Sequence, residues 1–159
     1  MERLWAPWRM VYIDGFKESD GCFLCAAAAD QGADAGSLVI WKKDKVVCVM
    51  NRFPYNNGHL MVAPCRHTGE MSQLSADERA ALFDGIIAAK ALLERAIKPN
   101  GFNIGFNLGR VAGAGLVDHL HCHVVPRWDG DTNFMPVLAD TKVIPQALSD
   151  LCAKLKSAM

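Results

Sequence analysis

The sequence predicts an α+β domain on a mostly antiparallel sheet, and three observations carry that expectation. Strand-like and helix-like runs are segregated in the order β-β-β-α-β-β. The long helical pattern repeats apolar residues on a single face. The chain has 159 residues, of which 51% are hydrophobic and 21% charged, the make-up of one ordinary globular domain. One domain over residues 1–159 is therefore expected, with residues 1–36 as an N-terminal arm.

The elements follow in order. Trp5, Pro7, Trp8, Tyr12 and Phe16 show no clear periodicity and read as an ordered segment that packs its aromatics, because an exposed patch of that kind is costly in water. Asp20 to Cys25 is a turn into a short Ala-rich helix, and Gly32 to Gly36 is a loop. Leu38–Trp41 and Val46–Met50 flank Lys43-Asp44 as a hairpin. Phe53 to Gly58 is dense in turn formers, and His59–Pro64 returns as a third strand. Ser75 and Glu78 have capping-box spacing. The helix they open repeats Leu82, Ile86, Ala89, Leu93 and Ile97, and Lys98-Pro99-Asn100-Gly101 stops it. Phe102, Ile104 and Phe106 alternate with Asn103, Gly105 and Asn107 as a strand with one polar face. A glycine-rich loop (Gly109 to Gly115), a last strand (His119 to Pro126) and a short helix bearing Leu148, Leu151 and Leu155 complete the chain.

Charge and cysteine content narrow the function. Lys+Arg and Asp+Glu are both 17, so there is no whole-molecule attraction to nucleic acid or to an acidic membrane. No apolar run approaches a bilayer span, and Met1 to Trp5 lacks a signal-peptide core, which predicts a cytoplasmic protein. In a reducing compartment a disulfide framework is not expected. Cys22 and Cys25 form a spaced pair, while Cys48, Cys65, Cys122 and Cys152 read as buried small hydrophobes.

His119-Leu120-His121-Cys122-His123 holds most of the functional information. In a strand the three imidazoles project from one face, with Leu120, Cys122 and Val124 on the other. Such a face can bind metal, or it can do phosphoryl chemistry, since a neutral imidazole can attack phosphorus while its neighbours supply protons and anion contacts.

This run resembles the histidine triad (HIT) superfamily of nucleotide hydrolases and transferases, whose pattern is His-x-His-x-His followed by two apolar residues. The resemblance extends to Met50-Asn51-Arg52 through Asn57-Gly58-His59-Leu60, to Gly101 through Gly109, and to Arg127 through Phe134. Together with Trp5-Ala-Pro-Trp8-Arg9, the last is similar to the bacterial branch of diadenosine-polyphosphate phosphorylases and hydrolases. The resemblance implies a five-stranded antiparallel sheet with a long helix and a C-terminal helix, continued across a homodimer. It also implies cleavage of dinucleoside polyphosphates at the α-phosphate through a nucleotidyl-histidine, resolved by phosphate or water.

By position, the resemblance makes His121 the nucleophile, His123 and His59 phosphate-side histidines, and His119 the first triad member. Asn51 matches a ribose-binding residue and Asn107 an amide near the scissile phosphate. Dinucleoside hydrolases of the fragile-histidine-triad type carry a Gln and a hydroxyl residue shortly before the triad. Here Gly113 to Asp118 stand there, so Gly113 and Gly115 are expected to offer backbone N–H groups to anions instead. That departure suits the phosphorylase-like branch.

Cys22-x-x-Cys25 alone reads equally as redox pair, metal site or chance. In a subset of HIT proteins such a pair joins a His after the third strand and the first triad His around zinc. The matching positions are Cys22, Cys25, His67 and His119, which implies a structural Zn²⁺ with a closed shell. Mg²⁺ is expected only as an escort of the polyphosphate. Two rival functions are a purine-nucleotide-binding regulator with vestigial catalysis and a cupin-like metalloenzyme. The intact triad weighs against the first, and the lack of an acidic ligand in the motif weighs against the second.

Overall fold

In the computed structural model, which describes residues 21–30, 37–133, 136 and 142–159, the hairpin pattern becomes paired strands. The aromatic arm (residues 1–20), the Gly32–Gly36 loop and Phe134 lie outside the described residues. The short Ala-rich helix is α1 (Phe23–Ala29). β1 (Val39–Lys43) and β2 (Val46–Met50) pair antiparallel across Asp44-Lys45. β3 (Leu60–Pro64) pairs with β2 from Val46↔Pro64 to Met50↔Leu60. Gly58 closes that turn with φ of 78°, a left-handed backbone, and a Cβ there would stand 2.7 Å from Ile97 Cδ1.

Ser75 and Glu78 form the expected capping box, each side chain accepting the other's backbone N–H. The helix α2 (Ala76–Ile97) runs from this cap to Lys98, which adopts the left-handed conformation with φ of 48°. Leu82, Ile86, Ala89, Leu92 and Leu93 face the sheet. Gly85 lets the helix approach closely, since a Cβ there would meet Val62 Cγ1 at 3.0 Å and Trp41 at 3.2 Å. β4 (Gly101–Phe106) and β5 (Cys122–Arg127) follow, and α3 (Leu148–Ser157) buries Leu151 and Leu155.

All sheet pairings are antiparallel, and the strand order is β1-β2-β3-β5-β4. β5, the last strand, is therefore inserted between β3 and β4. The strands' even-numbered residues, such as Cys48, Leu60, Val62, Cys122 and Val124, pack with α2 and α3 as the main core. Val47, Val49, Met61 and Ala63 point to the opposite face and pack with Leu24 and Ala28 of α1. His123 lies opposite Met61 and so belongs to the α1 side.

Three expectations need correction. The last strand begins at Cys122, not His119, which sits in a bend. Its ring turns away from the ladder toward α1. Cys65 is only partly buried, although Cys48, Cys122 and Cys152 are buried as expected. The glycine-rich segment contains a short 3₁₀ turn (Arg110–Ala112), and Gly113 N–H is spent on Arg110 O at 2.9 Å, so that amide is not free for an anion. All six thiols are free.

Candidate active site and metal cluster

The five histidines fall into two clusters. His59, His121 and His123 line the α1-side face of the sheet, with ring centroids 5.0 Å apart for both His59–His123 and His121–His123. His67 and His119 turn instead toward Cys22 and Cys25. His119 is thus separated from the other triad members by its side chain, yet joined to them by its backbone.

The hydrogen bonds fix the chemistry of each ring. His121 Nδ1 lies 2.8 Å from His119 O, and a carbonyl oxygen can only accept. Nδ1 therefore carries the hydrogen, and Nε2 keeps its lone pair. The buried position lowers the pKa of His121, so the ring is neutral near pH 7 and nucleophilic.

A second chain of assignments runs through His59. Tyr55 N–H donates to His59 Nδ1 at 3.1 Å, so His59 Nε2 carries the hydrogen. That N–H donates to His123 Nδ1 at 2.9 Å, which makes His123 Nε2 an N–H donor. Asn107 Nδ2 lies 3.4 Å from this nitrogen, at the exit of β4, and with Nε2 protonated the amide must turn to accept through Oδ1. The relay presents a neutral donor beside the His121 lone pair. Burial, reinforced by the neighbouring imidazoles, pushes His59 down to about 3 and His123 down to about 4.

The remaining site residues divide. Asn51 is buried, its Oδ1 accepts Phe53 N–H at 2.9 Å, and its amide lies 3.4 Å from His59 Nδ1. It closes the turn that aims His59. Gly115 is exposed at the end of the glycine-rich loop.

Two residues of the turn were not singled out from sequence. The Tyr55 ring packs 4.6 Å from His59 and 5.5 Å from His123. Asn56 ties the turn to β5 by donating to Pro126 O at 3.0 Å and Asp131 Oδ2 at 2.8 Å. Their signal in the sequence is only their place in a turn-rich run.

The second cluster holds Cys22, Cys25, His67 and His119, whose ligand atoms all lie within 4.8 Å of one another. Cys22 Sγ is 3.1 Å and Cys25 Sγ 3.5 Å from His119 Nδ1, and Cys25 Sγ is 3.2 Å from His67 Nδ1. Zinc bond lengths set a tetrahedral S···N edge of roughly 3.6 Å, so the four atoms are close to the spacing a tetrahedral ion requires. His119 Nε2 donates to Pro64 O at 2.8 Å, which leaves Nδ1 as the ligating lone pair. Both the donor set and its orientation fit a closed two-sulfur, two-nitrogen shell. Among the described residues no helix is long and apolar enough to cross a membrane.

The comparisons with known proteins agree with this geometry. An AP-4-A phosphorylase of Mycobacterium tuberculosis is 40% identical over 156 residues, covering 94% of this chain and 80% of that protein. A bis(5'-nucleosyl)-tetraphosphatase (asymmetrical) of Schizosaccharomyces pombe is 29% identical over 96 residues, covering 60% of this chain and 52% of that one. The crystal structure of a Zn-bound histidine triad family protein from Mycobacterium smegmatis superposes with a TM-score of 0.63 at 25% identity, covering 87% of this chain and 92% of that one. The HIT domain family model matches residues 33–130, which span the sheet, the long helix and all the histidines of both clusters, and the chain belongs to the HIT domain family.

Proposed function

We propose that this protein is a nucleotidyl hydrolase or transferase that cleaves dinucleoside polyphosphates such as diadenosine tetraphosphate at an α-phosphate. His121 Nε2 attacks the phosphorus, the bond to the bridging oxygen breaks, and a nucleotidyl-His121 forms. His123 Nε2–H donates to the phosphate oxygens, and His59 holds His123 in that tautomer. Asn51 faces the ribose side and Asn107 the scissile phosphate, with Gly115 at the border of the anion site. Phosphate or water then takes the nucleotidyl group from His121. The observation that carries this reading is the pinned Nδ1–H of His121, which leaves one unshared pair beside a neutral donor. The 40% identity to an AP-4-A phosphorylase favours phosphate as the acceptor.

Product analysis tests it. With diadenosine tetraphosphate, formation of ADP plus ATP only when phosphate is added marks a phosphorylase, and AMP plus ATP without it marks a hydrolase. An acid-sensitive nucleotidyl group on His121, seen by mass spectrometry, is expected in either case. Its absence during turnover would refute the covalent route.

Cys22, Cys25, His67 and His119 would hold Zn²⁺ in this reading, tying α1 to the sheet, and the closed shell keeps the ion out of the chemistry. Two thiolate ligands fit a reducing cytoplasm. Mg²⁺ would arrive with the polyphosphate. A homodimer continued through β4 is supported by the position of that strand at the sheet edge, where Ile104 is 44% exposed.

A further inference from the structure

A cavity beside Tyr55 has no part in the steps above. It measures about 290 Å³ and is lined by Tyr55, Asn56, Asn103, Arg127, Thr132 and Lys142. Its floor is the sheet face that carries the reactive histidines. His123, Val125 and Arg127 alternate along that side of β5, and Gly105, Asn103 and Gly101 lie opposite them on β4. Tyr55 is the shared wall between cavity and histidines, through its ring contact with His123.

The charge in this cavity is arranged outward. Asp131 takes the Arg127 guanidinium with both oxygens, at 2.6 Å to Nε and 2.8 Å to Nη2. The carboxylate side chain is only 7% exposed, whereas that of Arg127 is 45% exposed. Lys142 is exposed and donates to Asp131 O at 2.8 Å. Arg127 Nη1 donates to Asn103 Oδ1 at 2.7 Å, which orients the guanidinium across the floor. Both cations keep N–H donors beyond those these bonds use. The solvent side is thus cationic over a covered anion, with the Thr132 hydroxyl beside it.

We propose that this cavity is a phosphate subsite, taking phosphoryl groups other than the one attacked at His121. The proposal rests on the nucleotidyl-transfer reading and adds to it where the rest of a polyphosphate, or the free phosphate acceptor, is held. A planar guanidinium and a mobile ammonium suit the several oxygens of a phosphate chain.

Equilibrium binding tests it without turnover. Titration calorimetry compares the full chain with Lys142→Gln, using inorganic tripolyphosphate, inorganic phosphate and AMP as probes. Lys142 is exposed, so the variant keeps the fold, and Thr132→Val provides a second variant. Lys142→Gln should weaken one or both inorganic probes about tenfold and leave AMP within about twofold. Weakening of tripolyphosphate alone assigns the subsite to the substrate's distal phosphates. Weakening of inorganic phosphate alone assigns it to the acceptor. Unchanged affinity for both inorganic probes in both variants, or equal weakening of AMP, overturns the proposal. Absence of nucleotidyl-His121 would defeat the enzymatic reading separately, since these affinities require no reaction.

Discussion

The carbonyl oxygen of His119 decides which nitrogen of His121 can react. In the proposed reaction the nucleophile is set by that one bond, so His121→Ala should lower turnover by at least about a thousandfold while circular dichroism and melting remain near those of the parent. His59→Asn removes the Nε2–H donor from His123 Nδ1, so it should lower kcat while diadenosine tetraphosphate still binds. The buried rings also make stability depend on pH. His59 and His123 titrate at about 3 and about 4 in the fold, below the ordinary 6.5 of an unfolded histidine. Between those values the unfolded chain binds more protons, so stability is full above 6.5 and is lost as the pH falls toward the folded values. Each ring contributes up to about 2 kcal/mol to the loss by pH 5. Urea midpoints at pH 7 and pH 5 should show it, and His59→Asn should flatten the difference. Equal midpoints for the parent protein at both pH values would contradict the neutral-ring assignment.

Single elements supply the rigidity that this arrangement needs. The close approach of α2 to the sheet depends on Gly85, where a Cβ already meets Val62 at 3.0 Å. Gly85→Val should therefore destabilise the fold by about 1–3 kcal/mol through overpacking, read as a lower urea midpoint. The long helix, the hairpin and the capping box were legible because each has a local signal: apolar residues on one helix face, β-rich runs around a turn, and Ser75 three positions before Glu78. The side assignments of Leu120, Cys122 and Val124 were legible for the same reason, since they join the core under α2. The start of β5 was not. Alternation continues through His119, but a tertiary bond to Pro64 and the nearby thiols pull its ring out of the strand pattern. Tyr55 and Asn56 were hidden in the same way, because their roles arise from a turn folding onto β5, a contact between residues distant in sequence. The metal quartet became legible only through resemblance, since nothing local links Cys22 and Cys25 to His67 and His119.

At the scale of the molecule, two clusters share one residue, as His119 contacts Cys22 through its ring and His121 through its carbonyl. With zinc bound at the proposed quartet, a strong chelator should lower the melting temperature, and Cys22→Ser should do the same while zinc content per chain falls. If the chain holds no zinc and melts identically in chelator, the cluster is not a metal site. Ile104→Lys places a charge on the exposed β4 edge and should shift a dimer to monomer in sedimentation velocity. The sheet order carries a further consequence. β5 enters between β3 and β4, so a ribosome that has released the chain only as far as Asn100 has produced β1, β2, β3, α2 and His59, but neither β4 nor His121 and His123. His121 and His123 thereby meet His59 only when that late strand docks, so an emerging chain lacks the assembled cluster until then.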